Sequence, residues 1–281
     1  MRTLLIAACC ALPLLTADGP KAIAPITPQE MVRRALAAYT RDEAAERQYT
    51  YLQRDDFRML DGAGNVKRRD LHTFDVTLLE GSPYRRLVKR NDQPLPPEEE
   101  KQQQANLQRS IQERRKETPE QRRQRIAEWE RKRQERQKDI DEVPDAFDLT
   151  LAGEDVINGV PVWIVDGIPH PAYKPKSKTA GYFTKMKGRI WIAKSDFHAV
   201  KIDAVTMDTI SIGAFLIRFA KGGHVGVEFA HVNNEVWMPK HVVLTGSARV
   251  LFVKGYHVDA DFTFSDYKKF STESRVIAVS Q

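Results

Sequence analysis

Residues 188–203, Gly-Arg-Ile-Trp-Ile-Ala-Lys-Ser-Asp-Phe-His-Ala-Val-Lys-Ile-Asp, constrain the fold of this chain more than any other stretch. Ile190 and Ile192 alternate with Trp191 and Ala193, the turn formers Lys194, Ser195 and Asp196 follow, and Val200 and Ile202 then alternate with Lys201 and Asp203. A period of two on both sides of a polar turn is a β-hairpin. Similar runs follow at 204–209, 214–220, 225–232, 236–253 (with an interruption near Gly246) and 256–267, so the hairpin predicts the middle of a long antiparallel meander. In the last run Val258, Ala260, Phe262 and Phe264 alternate with Asp259, Asp261, Thr263 and Ser265, one face in and one face out.

The same pattern lies upstream. Residues 49–60 and 66–79 are strand-like and are joined by the Gly-rich turn 61–65. Residues 84–89 read as a third strand, in which the adjacent Arg85 and Arg86 must point to opposite faces. Residues 147–153 alternate again, Asn158-Gly159 is a hairpin turn, and 160–165 is the return, followed by a Pro- and Lys-rich surface loop at 167–178. An open twisted sheet of about ten or eleven strands curls rather than staying flat. The predicted fold class is therefore mainly antiparallel β (α+β): a curled half-barrel covered by helix, with an inserted, exposed helical hairpin.

Two kinds of helix are expected. Thr27-Pro28-Gln29-Glu30 supplies an N-cap, a first-turn proline and a capping box, and Met31, Val32, Ala35, Leu36 and Tyr39 form one stripe at helical spacing. Such a helix packs on the sheet and, in the sharper reading, lines a cavity on its concave face. From Glu98 to Glu142 the chain is nearly all Glu, Gln, Lys and Arg, with Thr118-Pro119-Glu120-Gln121 breaking it into two helices. Leu107, Ile111, Ile126 and Trp129 are almost its only large apolar residues, so it reads as an exposed insertion laced with ion pairs.

Residues 1–17 carry Arg2, an apolar run at 4–15 and Ala17, the three parts of a cleavable secretory signal; the run is too short for a membrane span. Ile6-Ala7-Ala8-Cys9 also resembles a lipobox, the alternative processing. The expected organisation is a signal peptide at 1–17, a linker at 18–26 and one domain at 27–281 containing the insertion 98–142. The expected location is the periplasm or cell envelope. Both cysteines, Cys9 and Cys10, fall in the signal, which leaves the mature chain no disulfide or thiolate chemistry. With 44 Lys and Arg against 38 Asp and Glu the balance is basic, which after export favours phospholipid headgroups, envelope polymers or acidic proteins over nucleic acid.

No motif carries catalysis. The histidines at 72, 170, 198, 224, 231, 241 and 257 show no His-Glu-x-x-His spacing, Ser195 and Ser247 lack a nucleophile elbow, and Gly222-Gly223-His224-Val225-Gly226 joins two strands rather than a strand and a helix. No catalytic residue, metal or cofactor is expected. Binding rests instead on Leu36, Tyr39, Trp163, Phe183, Trp191, Phe215, Phe229, Trp237, Phe262 and Phe264, read as the lining of an apolar cavity, with ordinary core packing as the competing reading for each one.

The signal, the capped helix, the meander, the Gly188 to Asp203 hairpin and Glu235-Val236-Trp237-Met238-Pro239-Lys240 together resemble the LolA/LolB-like superfamily of outer-membrane lipoprotein-sorting carriers. The resemblance implies an incomplete β-barrel closed on one side by helices around a cavity for acyl chains. The 98–142 arm departs from it, being longer than a lid helix and too polar to line a cavity. Two functions follow as expectations. One is a non-catalytic envelope protein holding a lipid or lipoprotein acyl chain. The other is a scaffold that docks an anionic membrane surface or envelope protein through Arg122, Arg123, Arg125, Arg131 and Arg133.

Overall fold

The computed structural model describes residues 26–212, 217–250 and 256–269. The expected signal, nearly all of the linker and the candidate Phe215 lie outside them. Thirteen strands are described, in chain order β1 (Tyr49–Leu60), β2 (Val66–Leu79), β3 (Ser82–Arg90), β4 (Gln93–Pro94), β5 (Phe147–Ile157), β6 (Val160–Pro169), β7 (Met186–Ala193), β8 (Ala199–Thr206), β9 (Ile210–Ile212), β10 (Ile217–Phe219), β11 (His224–Val232), β12 (Val236–Val250) and β13 (Tyr256–Lys269). Eleven of them form one antiparallel path, β4-β3-β2-β1-β13-β12-β11-β8-β7-β6-β5, while β10 pairs with β12 and β9 with β10. The end strands β4 and β5 do not meet, so the sheet is a curled half-barrel and not a closed one. Register shifts between β1 and β2, β5 and β6, β7 and β8, and β11 and β12 supply local bends that help it curl.

The central hairpin is β7 and β8. Several boundaries differ from the sequence reading, among them β5, which continues to Ile157, and β6, which runs to Pro169 into the stretch 167–178 expected as a surface loop. Residues 204–206 complete β8 instead of starting a new strand, the short β9 stands at 210–212 where none was expected, and β10 at 217–219 falls within the strand expected at 214–220. β12 also runs through Gly246 without a break. A Cβ at Gly246 would lie 3.0 Å from the Cα of Gly223, so this glycine permits two backbones to approach and does not interrupt the strand.

Helix α1 (Pro28–Glu46) lies on the concave face. The Thr27 hydroxyl accepts the Glu30 amide at 3.2 Å, but the Glu30 carboxylate turns outward to Arg34, so only half of the expected capping box forms. Met31, Val32 and Ala35 pack with Val165 and Ile192 into a buried cluster, with Leu149, Trp163 and Ile190 around it. A second cluster, Val162, Ala193, Val200 and Trp237 with Trp191 and Phe229, is built from residues that alternate with the first in β6 and β7. It therefore occupies the opposite face. Tyr49, Val236 and Met238 form a third cluster beneath the end of α1, near Ala45.

The insertion consists of α2 (Pro97–Lys116), α3 (Pro119–Ile140) and the short α4 (Val143–Ala146). Thr118 breaks it as predicted, with a complete capping box to Gln121. Its length has a topological cause: it leaves the sheet at β4, one free edge, and rejoins at β5, the other. Helices of 20 and 22 residues extend about 30 Å each, enough to carry the chain between the edges. The arm is exposed over most of its surface, yet anchored. Arg114 donates to the carbonyls of Leu79 and Ser82 at 2.6 and 3.0 Å, and Arg125 to the Ser82 hydroxyl and the Glu80 carbonyl at 2.7 and 3.0 Å. Farther along, α3 runs antiparallel beside α1 through Glu130 to Arg47, Arg133 to Glu43 and Gln137 to Thr40.

Candidate functional site

Two grooves open where α1 and α3 meet the sheet. The first lies under the N-terminal half of α1 and has a volume of about 280 Å³. Its floor comes from register. Gly167, Gly188 and Ala204 stand side by side across β6, β7 and β8, with Leu149 opposite Gly167 on β5. The neighbouring row on the same face is Val165, Ile190 and Ile202. A row of small residues beside a row of branched ones leaves a trough in the sheet surface. Val32 and Leu36 of α1, Ile140 of α3, and Val143, Phe147 and Phe183 wall it.

Lys187 and Arg189 border the groove through the β7 backbone, and alternation with Gly188 and Ile190 turns their side chains to the opposite face of the sheet. Arg189 is taken by Asp166 in a bidentate pair, 2.7 Å for one arm, which holds the Asp166 carboxyl below the usual carboxylate range. Lys187 is exposed and forms no ion pair among the described residues. A trough lined by apolar side chains suits an aliphatic ligand.

The second groove, about 180 Å³, lies between the C-terminal end of α1, the middle of α3, and strands β1, β2 and β13. Tyr51, Phe264 and Tyr267 form an aromatic group, with Tyr51 5.9 Å from Phe264 and 5.4 Å from Tyr267. Trp129 sits across from them between the guanidinium groups of Arg47 and Arg133, 5.2 and 5.8 Å from its ring centre. Glu46 also faces this space. Burial, then the nearby Glu43 and Asp42, push its carboxyl up to about 7, with Arg133 opposing.

The residues expected to line one cavity are thus distributed over several places. Leu36 and Phe183 line the apolar groove and Phe264 the aromatic one. Trp163 packs beside Phe197 in the core under α1, their ring centres 5.3 Å apart. Trp191, Phe229 and Trp237 belong to the cluster on the opposite face, where Trp237 stacks on His198 and His231 at 6.0 and 5.1 Å. Tyr39 lines neither groove and its hydroxyl is shifted up, by burial first. Phe262, half-buried, pairs with Asp55 and Val242 in the sheet.

The five arginines expected to dock a partner each have a carboxylate of this chain beside them: Arg122 with Glu80, Arg123 with Glu120, Arg125 with Glu117, Arg131 with Glu135 and Arg133 with Glu43. Contrary to the expectation that the arm is too polar to line a cavity, Ile140 lies in one groove and Trp129 with Arg133 in the other. A few apolar residues suffice when they sit where the helix crosses a cavity. Sequence reasoning passed over Gly167, Gly188 and Ala204, although a glycine inside a strand pattern is itself a signal of open space or close approach. His198 is also not a surface residue. It is 9 % exposed and sits between Asp42 and Asp196, at 3.0 and 3.3 Å.

A scan against protein-family models finds no match, and a search of curated proteins finds none. Solved structures do match. A LolA superfamily protein from Nitrosomonas europaea has 9% identity and a TM-score of 0.33, covering 88% of this chain and 94% of that one. A domain described as an outer membrane lipoprotein-sorting protein, from Vibrio parahaemolyticus, has 10% identity and a TM-score of 0.35, covering 86% and 94%. A DUF1329 family protein from Desulfovibrio piger has 8% identity and a TM-score of 0.34, covering 91% and 96%. At these scores the likenesses carry no argument about ligand or partner, and the half-barrel stands on its own strand order and register. The chain is similar to solved structures of the LolA superfamily, the group that its sequence resembles.

Proposed function

We propose that this protein is a non-catalytic binding protein of the bacterial envelope that holds an acyl chain, free or as part of a lipid or lipoprotein, in the groove under α1. The observation that carries the reading is the trough of Gly167, Gly188 and Ala204, which continues an apolar wall of Leu36, Ile140 and Phe183. Burial of aliphatic surface contributes about 25 cal/mol per Å², so a chain laid along this trough binds without a network of polar anchors. The test is native mass spectrometry of the mature protein from its own envelope fraction, followed by organic extraction. A bound acyl species that Ala204→Phe excludes, in a protein that keeps its fold, supports the reading. A bare polypeptide mass that takes up no added lipid refutes it.

A second reading, docking of an anionic partner by the arm, rests on Arg123 and Arg131, whose side chains are 71% and 59% exposed. Arg122, Arg125 and Arg133 are more enclosed and engaged by Glu80, Glu117 and Glu43. Charge reversal at Arg123 and Arg131 abolishes sedimentation with anionic vesicles if this reading holds, and leaves it unchanged if it does not.

A further inference from the structure

The aromatic groove has no part in the acyl-chain reading, and its chemistry differs. Its charged residues pair off in a definite way. Arg133 lies 3.4 Å from Glu43, and Arg47 lies 3.2 Å from Glu130, while each guanidinium also packs on Trp129. Glu46 is left over. Its carboxylate forms no hydrogen bond or ion pair among the described residues, although it faces a groove walled by Tyr51, Tyr267 and Phe264. The Tyr267 hydroxyl is tied to the Pro239 carbonyl and Tyr267 packs against Tyr51, so these rings are set before anything binds.

An unpaired carboxylate among fixed aromatic rings is an arrangement that receives an organic cation. The ring faces attract positive charge, and the carboxylate supplies the counter-charge that the cation loses with its water. We propose that this groove binds a small ammonium compound, primary or quaternary, with Glu46 as the counter-ion and Tyr51, Tyr267 and Phe264 as the walls. The volume of about 180 Å³ limits the guest to a headgroup or a small amine. Because α3 contributes Trp129 and Arg133, the site exists only while the arm is docked on α1.

The charge balance of the groove supports the assignment. The Glu46 carboxyl is raised to about 7 by burial and by Glu43 and Asp42 on its own helix, against Arg133 on α3. The Glu46 charge in turn raises Tyr51 on β1 and Tyr267 on β13, both of them already raised by burial. A bound cation stabilises the ionised form, so binding displaces the proton and weakens as the pH falls below 7. Between pH 8 and 5.5 the affinity drops roughly thirtyfold.

The experiment is titration of the full chain with tetramethylammonium and with ethylammonium chloride at pH 8 and pH 5.5, followed by calorimetry and by the aromatic resonances. The expected result is saturable binding at pH 8, about thirtyfold weaker at pH 5.5. Glu46→Gln is expected to weaken binding at least tenfold and to remove the pH dependence, and Tyr51→Leu to weaken it several-fold while Tyr51→Phe retains it. Absence of saturable binding at pH 8, or equal affinity in Glu46→Gln, overturns the proposal. Should Glu46→Gln fail to fold, the Tyr51→Leu and Tyr51→Phe pair decides, equal affinities overturning it. Free choline and phosphatidylcholine vesicles, with phosphatidylglycerol vesicles as control, separate a soluble cation from a lipid headgroup; a Glu46-dependent response to either supports the site. Ala204→Phe leaves this binding unchanged, so failure here and failure of the acyl-chain reading are distinguishable.

Discussion

Both grooves are roofed by α1 and touched by α3, and they differ in which residues those helices turn toward the sheet. Toward its N-terminus α1 presents Val32 and Leu36 to a floor of glycine, alanine and branched aliphatics; toward its C-terminus it presents Glu43, Glu46 and Arg47 to tyrosines. The first groove contains no group that titrates near neutrality, and its energetics are those of apolar burial. The second contains a carboxyl held near neutrality and two arginines stacked on one indole, so its state depends on pH and on what is bound. One helix can serve both because its sheet-facing residues change along its length from the apolar Val32 and Leu36 to the charged Glu43 and Glu46.

The comparison breaks most violently if charge enters the apolar end. Val165 is 0% exposed in the floor of the first groove, and Val165→Asp leaves a carboxylate there with no partner. A loss of about 4 kcal/mol or more is expected in denaturant unfolding, accompanied by loss of acyl-chain uptake. Arg114→Ala attacks the arm instead. It removes donors to the Leu79 and Ser82 carbonyls, at an expected cost of about 2 kcal/mol, with faster amide exchange in α2 and α3 and loss of the aromatic groove.

Glu46→Gln sharpens the contrast without breaking it. A folded-state pKa raised from 4.5 to about 7 means that the folded protein holds this proton more tightly than the unfolded chain does. The associated stability is present below about pH 4.5 and is lost as the pH rises to about 7 and above. The wild type therefore falls relative to Glu46→Gln by roughly 3 kcal/mol across that window, and a constant difference between the two refutes the assignment. The smallest effect is at the break in the arm. Thr118→Ala deletes the cap that accepts the Gln121 amide at 3.2 Å and costs about 1 kcal/mol, read as fraying of α3 with both grooves retained.

Much of this fold was legible in the chain because its determinants are local. Alternation fixed β1, β2, β7 and β11 to within a residue or two, Asn158-Gly159 marked a turn in which both residues have positive φ, and Thr118 marked the break between two helices. The site was legible only in part. Leu36 and Phe183 lie at the apolar groove and Phe264 at the aromatic one, whereas Trp191, Phe229 and Trp237 pack on the far face, and the glycines that form the trough carry no side chain to attract notice.

The amino-acid sequence by itself determined the period of each element, the residues that end it, and the two faces that each strand must have, since these depend on neighbours within a few residues. Tertiary structure alone decided which face is concave, that β1 pairs with β13 so that β4 and β5 become the free edges, and that α3 lies antiparallel to α1. Those choices depend on contacts such as Arg47 to Glu130 and Gly167 to Gly188, between residues far apart in the chain. A repeating pattern of alternation is compatible with many strand orders, and only the packing of the whole sheet selects one.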